Sequence, residues 1–86
     1  MPQFLPIDQR IRPLLAEFGH LTATPEALSD QQDLYELGMR SHDVISLMMA
    51  LEAEFDIEFP NTLLNRSSFA TLANIREALR TLGVGA

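Results

Sequence analysis

Apolar residues recur at helical spacing along the middle of the chain. From Ser41 to about Phe55 they follow one another at intervals of three and four residues: Val44, Leu47, Met48, Leu51 and Phe55. This spacing is typical of one stripe of an amphipathic α-helix of about four turns. We expect the stripe to face the core. A second set of residues would then face outward: His42, Ile45, Ser46, Met49, Glu52 and Ala53.

A first helix is predicted near the start of the chain, with an apolar face formed by Ile11, Leu14, Leu15 and Phe18. Asp8 is its predicted N-cap and Gly19 its predicted end, because these residue types favour those positions. Pro13 lies inside the pattern, and an interior proline has no N–H to donate to the helix. We therefore expect either a bend at Pro13 or a helix that begins near Arg12.

The last third of the chain predicts a short helix and then a longer one. The short helix covers residues 62–66, after a cap at Asn61. The longer helix is capped by Ser68 or Thr71, ends at Gly83, and has the stripe Leu72, Ile75, Leu79 and Leu82. Before both, residues 56–59 alternate between acidic and apolar side chains. A single strand would have no partner, so this segment is predicted to be an extended connector with two inward side chains.

The predicted fold class is therefore all-α: a small four-helix bundle of three longer helices and one short helix, with a long loop between helices 1 and 2. We expect one domain over residues 1–86, with a core over 7–83 and flexible ends at 1–6 and 84–86. The loop spans residues 20–40, which is long for a spacer. Its regularly placed leucines are expected to attach it to the core: Leu21, Leu28, Leu34 and Leu37.

The charge of the chain is negative and unevenly placed. The formal net charge is −6, and between Glu17 and Glu58 ten acidic residues accompany Arg40 as the single cation. Because like charges repel, we expect no binding to nucleic acid or to an anionic membrane. A basic protein surface is the expected partner, although such acids also serve simply to keep a domain soluble.

Composition excludes several further classes. The chain has no cysteine, so it has neither disulfides nor thiolate metal sites. Its apolar runs are too short to span a bilayer, and no signal-like segment opens it. These observations predict a cytoplasmic protein, which we expect to be a monomer.

Ser41 is the candidate functional residue of the chain. Gly38 can adopt the positive φ of a tight turn, and Ser41 follows at the predicted N-cap with Asp43 in the first turn. A phosphodiester on the Ser41 oxygen would be stabilised by the helix dipole. A nucleophilic serine would need a base, and His42 does not supply one because adjacent helical residues do not face each other. We predict no catalytic site and no metal site; a plain N-cap serine is the alternative to an attachment site.

The segment ELGMRS at residues 36–41, followed by LEAEFDIEFP at 51–60, resembles the core of acyl and peptidyl carrier proteins. In that family a serine after this turn carries a 4′-phosphopantetheine arm, so the resemblance implies that Ser41 is the attachment site. It also implies a phosphopantetheinyl transferase that installs the arm from coenzyme A. The family's usual Asp-Ser-Leu motif reads Arg40-Ser41-His42 here, which leaves the attachment chemistry unchanged.

Residues 56–61, 63–66 and 68–70 are similar to the small bacterial aminoacyl carrier proteins. Those proteins are loaded by amino acid ligases that resemble the catalytic domain of seryl-tRNA synthetase. The resemblance implies a carrier without activity of its own, which holds an aminoacyl thioester and passes it to a downstream acceptor enzyme. The alternatives are a fatty-acid or polyketide acyl carrier and, in another class, an unmodified helical adaptor. The predicted partner-binding face consists of Arg40, His42, Ile45, Ser46, Met49, Glu52 and Ala53.

Overall fold

The computed structural model of the chain describes residues 6–84, without the side chain of Pro25. This part of the chain is all-helical and contains no strand. Its three α-helices are α1 (Ile7–Phe18), α2 (Ser41–Phe55) and α3 (Leu72–Thr81). Single 3₁₀ turns lie in the connections, at Pro25–Ala27, Asn61–Leu63 and Ser67–Phe69.

The prediction of a short helix over residues 62–66 is wrong. Two separate 3₁₀ turns occur instead, at Asn61–Leu63 and Ser67–Phe69, and Leu64 follows the first with φ −89° and ψ 70°. Asn65 then uses its side-chain oxygen to accept a hydrogen bond from the Ser68 N–H at 2.9 Å. Asparagine and serine compete in this way with backbone helix bonds, which explains why the segment does not continue as a helix.

The core lies where the three helices meet. Side chains from all three are completely buried, and they include Ile11, Leu15, Leu47, Leu51, Leu72, Ile75 and Leu79. The predicted inward stripe of α2 is thereby confirmed at its centre. Val44, Met48 and Phe55 belong to the same stripe, but they are only partly buried and pack against the edge of the core.

The start of α1 differs from the prediction. Pro6, not Asp8, occupies the N-cap position, and the helix runs through Pro13 from Ile7 instead of beginning near Arg12. Asp8 has another role: both of its oxygens accept hydrogen bonds from Nη1 of Arg76, at 2.7 and 3.0 Å. Nη2 of the same arginine donates to Asp30 at 2.7 Å. Arg76 thus joins α3 to α1 and to the long loop, and these two carboxylates raise the pKa of its guanidinium.

The long loop packs against the helices, as its leucines predicted. Leu28 and Leu34 are buried, and Leu21 and Leu37 pack against the core. Backbone hydrogen bonds attach the loop as well: the Leu34 N–H donates to the Ala70 carbonyl at 2.8 Å. The loop is therefore part of the folded structure, and it brings the residues before Ser41 to a fixed place at the start of α2.

The connector after α2 also follows the prediction. Ile57 packs against the core and Phe59 is buried, with its ring 5.4 Å from that of Phe69 between centroids. At the other end of the chain, Val84 packs against the core and its N–H donates to the Leu79 carbonyl at 3.0 Å. The remaining residues of the predicted flexible ends, 1–5 and 85–86, lie outside the described residues.

Candidate functional site

Ser41 is the first residue of α2, and its side chain is exposed. The N-cap prediction for Ser41 is wrong by one residue, because Arg40 occupies that position with extended backbone at φ −110° and ψ 172°. Within residues 6–84, the Ser41 hydroxyl makes no hydrogen bond. The oxygen is therefore not engaged in capping, which leaves it accessible for a reaction with a partner.

Asp43 performs the capping that the sequence had assigned to Ser41. One carboxylate oxygen, Oδ2, accepts a hydrogen bond from the Arg40 N–H at 2.9 Å. The other, Oδ1, lies 2.6 Å from Nδ1 of His20 and 3.4 Å from Nε2 of His42. The Asp43 side chain is buried, and the bond from the Arg40 N–H, followed by that from His20, lowers its pKa.

The link between His20 and Asp43 was missed by sequence reasoning. The two residues are 23 positions apart, and no local pattern connects the end of α1 with the first turn of α2. The sequence indicated only one of the two partners: Asp43, an acid in the first turn of a predicted helix. In the structure, this contact fixes the position of the turn before Ser41 relative to α1.

Gly38 has the positive φ that the turn was predicted to need, at 117°. A Cβ atom at this position would lie only 3.0 Å from the His20 carbonyl oxygen. His20 has a positive φ of its own, 53°, directly after the end of α1. The turn therefore depends on glycine twice, for its backbone conformation and for its close approach to the neighbouring loop.

A groove of about 490 Å³ opens beside Ser41. Its wall on α2 consists of Ser41, Val44, Ile45 and Met48. The opposite wall comes from the segment between α2 and α3 and from the long loop: Leu64, Asn65, Arg66, Phe69 and Tyr35. No acidic side chain lines the groove, although the chain as a whole carries a net charge of −6.

Three large apolar side chains in the described part of the chain are exposed; Ile45 and Leu64 line the groove, and Met49 follows Ile45 by about one turn of α2. Ile45 and Met49 are 57% and 60% exposed, which confirms their predicted orientation, and Leu64 is 44% exposed. Leu64 was missed as a surface residue because the sequence placed it on a helix that does not form. The other predicted members of this face that are exposed are Arg40, His42, Ser46 and Ala53.

Glu52 is the member of the predicted face that has a structural role. It is half-buried, and its Oε2 accepts a hydrogen bond from the Phe59 N–H at 2.9 Å. The carboxylate thereby fixes the connector after α2, so it is less available to a partner than the outward prediction implied. This contact crosses from the helix to the connector, and the spacing within α2 alone does not reveal it.

Residues 9–79 match the family described as phosphopantetheine attachment site. The chain belongs to this family. Among its relatives, the aminoacyl carrier protein of Agrobacterium fabrum (strain C58 / ATCC 33970) is 42% identical over 76 residues, which are 88% of this chain and 92% of the relative. The acyl carrier protein of Caulobacter vibrioides (strain NA1000 / CB15N) is 41% identical over 56 residues, 64% of this chain and 69% of the relative.

Solved structures also resemble this phosphopantetheine attachment domain. A chain in the crystal structure of engineered Bradyrhizobium japonicum glycine:[carrier protein] ligase, complexed with carrier protein from Agrobacterium tumefaciens and AMP, superposes with a TM-score of 0.83. The two chains are 40% identical, and the match covers 86% of this chain and 99% of that one. The fold is therefore that of a carrier protein.

The site fits the group that the family name implies. A phosphodiester requires an accessible hydroxyl without competing hydrogen bonds, and Ser41 meets both conditions. The groove beside it offers apolar walls and a guanidinium, with no carboxylate to repel a phosphate. The part of the chain that the structure describes contains no group of three metal-ligating side chains. None of its helices is long and apolar enough to cross a membrane.

Proposed function

We propose that this chain is a carrier protein without catalytic activity, which holds an aminoacyl or acyl group as a thioester on a 4′-phosphopantetheine arm attached to Ser41. The proposal rests on the accessibility of the Ser41 hydroxyl, which is exposed and makes no hydrogen bond within residues 6–84. Ser41 is also the first residue of α2 and lines an apolar groove. The bound arm would supply the thiol that forms the thioester.

The attachment step needs an enzyme from outside this chain. The Ser41 oxygen would form a bond to the phosphorus of coenzyme A that carries the pantetheine, displace adenosine 3′,5′-bisphosphate and lose its proton. Asp43 does not serve as the base, because its oxygens already accept hydrogen bonds from Arg40 and His20. We infer that a phosphopantetheinyl transferase provides the base, while this chain provides an accessible hydroxyl at the start of α2.

The aminoacyl subtype is supported by two findings. The relative from Agrobacterium fabrum, with 42% identity, is an aminoacyl carrier protein, and the similar structure with a TM-score of 0.83 is a complex of a glycine:[carrier protein] ligase with a carrier protein. We propose that an amino acid ligase resembling the catalytic domain of seryl-tRNA synthetase loads this chain, and that an acceptor enzyme later removes the amino acid. The exposed side chains of Ile45, Met49 and Leu64 are the proposed anchors for the ligase.

The second candidate is a fatty-acid or polyketide acyl carrier. The apolar lining of the groove favours it, since such a lining suits an alkyl chain, and acyl carrier proteins are also relatives at 41% identity. Against it, the exposed face of α2 has Ser46 and Ala53 where acyl carriers usually have acids, and Glu52 is already bound to the connector. Loading assays with an amino acid ligase and with an acyl ligase separate the two candidates.

The experiment that tests attachment is an intact mass measurement after incubation with a phosphopantetheinyl transferase and coenzyme A. The wild-type protein should gain one phosphopantetheinyl group, and Ser41→Ala should gain none. Ser46→Ala is the matched control, because Ser46 is another exposed serine on α2 and should not be needed. If the wild type gained no mass, or if Ser41→Ala did, the unmodified adaptor would be the better account. The cytoplasmic location, the monomeric state and the single domain stay predictions.

A further inference from the structure

Arg66 is held in place at the edge of the groove by Tyr35. The guanidinium carbon of Arg66 lies 3.8 Å from the centroid of the Tyr35 ring. The Tyr35 hydroxyl donates a hydrogen bond to the Arg66 backbone carbonyl at 2.9 Å. One tyrosine thus fixes both the backbone and the charged end of this arginine, although Arg66 is an exposed residue.

This guanidinium has no acidic partner in the structure. Within residues 6–84, Arg10 forms an ion pair with Glu54, Arg12 with Asp8, and Arg76 with Asp8 and Asp30. Among these described residues, no carboxylate lies within 4 Å of Arg66. Arg66 is therefore a cation without an ion pair among the described residues, although the net charge of the chain is −6. It lines the same groove as Ser41, and no acid is present there.

We propose that Arg66 binds the phosphodiester of the arm on Ser41, and that Tyr35 is a positioning residue that presents the guanidinium to it. This inference rests on the proposed function. A guanidinium donates two parallel hydrogen bonds to phosphate oxygens, and such charge-assisted bonds are stronger than neutral ones. Because the Tyr35 contacts already order Arg66, less side-chain entropy is lost when the phosphodiester binds.

The two other basic residues next to Ser41 are less suited to this role. Arg40 and His42 line a different cavity, together with His20, Gly38 and Asp43 among others. His42 also has a carboxylate nearby, with Nε2 at 3.4 Å from Asp43. The chain therefore contains a matched pair of arginines near the attachment serine, one in its groove and one outside it.

The test compares the melting temperature of each protein before and after modification. In the wild type, modification should raise the melting temperature, and added salt should reduce this increase because the ion pair is partly exposed. Arg66→Gln should abolish the increase, Arg66→Lys should keep a part of it, and Arg40→Gln should retain it. Tyr35→Phe should keep most of the effect, since the ring remains, whereas Tyr35→Leu should reduce it.

A spectroscopic measurement makes the test independent of stability. The Nε–H resonance of Arg66 should shift on modification in the wild type, and the corresponding resonance of Arg40 should not. An unchanged Arg66 resonance, or an equal melting increase in Arg66→Gln, would overturn the inference. Intact mass distinguishes this result from failure of the proposed function: without the mass gain the carrier proposal itself fails, and with the gain only the role of Arg66 is refuted.

Discussion

Leu47 and Ile45 are neighbours on α2 whose truncation should have very different effects on stability. Leu47 is completely buried, whereas Ile45 is 57% exposed. Replacing either one by alanine removes three carbon atoms. At about 0.8 kcal/mol for each buried carbon, Leu47→Ala loses about 2.4 kcal/mol of transfer free energy, and the cavity left behind adds to this. The expected total is about 2–5 kcal/mol.

Because Ile45 is 57% exposed, Ile45→Ala should lose less than half of the same transfer free energy, about 1 kcal/mol. Alanine also has a higher helix propensity than isoleucine, which offsets part of that loss. The net cost should therefore be about 0.5 kcal/mol. For a domain of this size, each kcal/mol corresponds to about 4–8 °C in melting temperature. Leu47→Ala should lower the melting temperature by at least about 8 °C, and Ile45→Ala by less than about 4 °C.

The measurement is thermal and urea unfolding of both variants, followed by circular dichroism. Leu47→Met is the control, because a swap that conserves volume should cost less than about 1.5 kcal/mol. If Leu47→Ala does not fold at all, Leu47→Val still compares a smaller truncation with Ile45→Val. An Ile45 variant that is as damaging as its Leu47 counterpart would show that the two faces of α2 have been assigned the wrong way round.

Three further predictions concern the site. Asp43→Asn should lower the melting temperature at pH values above the ordinary carboxyl pKa of 3.8. In melts across a pH series, the difference in melting temperature from the wild type should vanish as the pH falls through the lowered pKa of Asp43. A difference that stays constant with pH would contradict the bond from the Arg40 N–H. Gly38→Ala should lower the free energy of unfolding in urea by about 1–3 kcal/mol. Gly83→Ala should lower it less, because a Cβ at Gly83 contacts nothing. Equal losses would contradict the close approach of Gly38 to the His20 carbonyl. Met49→Ala should slow thioester formation by an amino acid ligase much more than Glu52→Gln does, with little salt dependence; a dominant Glu52 effect would favour the fatty-acid type of carrier.

The sequence by itself determined the three longer helices and the buried centre of the α2 stripe. The spacing of Leu47 and Leu51 placed them in the core, and the bounds of α2 agree with the prediction at Ser41 and Phe55. The exposure of Ile45 and Met49 followed from the same spacing. These features are local, because helical periodicity depends on residues only a few positions apart.

Only the tertiary structure decided which residues contact one another around Ser41. The partner of Asp43 is 23 residues away at His20, and the contact between Tyr35 and Arg66 spans 31 residues. It also decided that Leu64 is exposed, because the polar side chain of Asn65 bonds to the backbone and divides the expected helix into two turns. Such contacts depend on how the loops pack across the helices. Periodicity carries no information about that packing, so these residues become visible as part of the site only when the chain is folded.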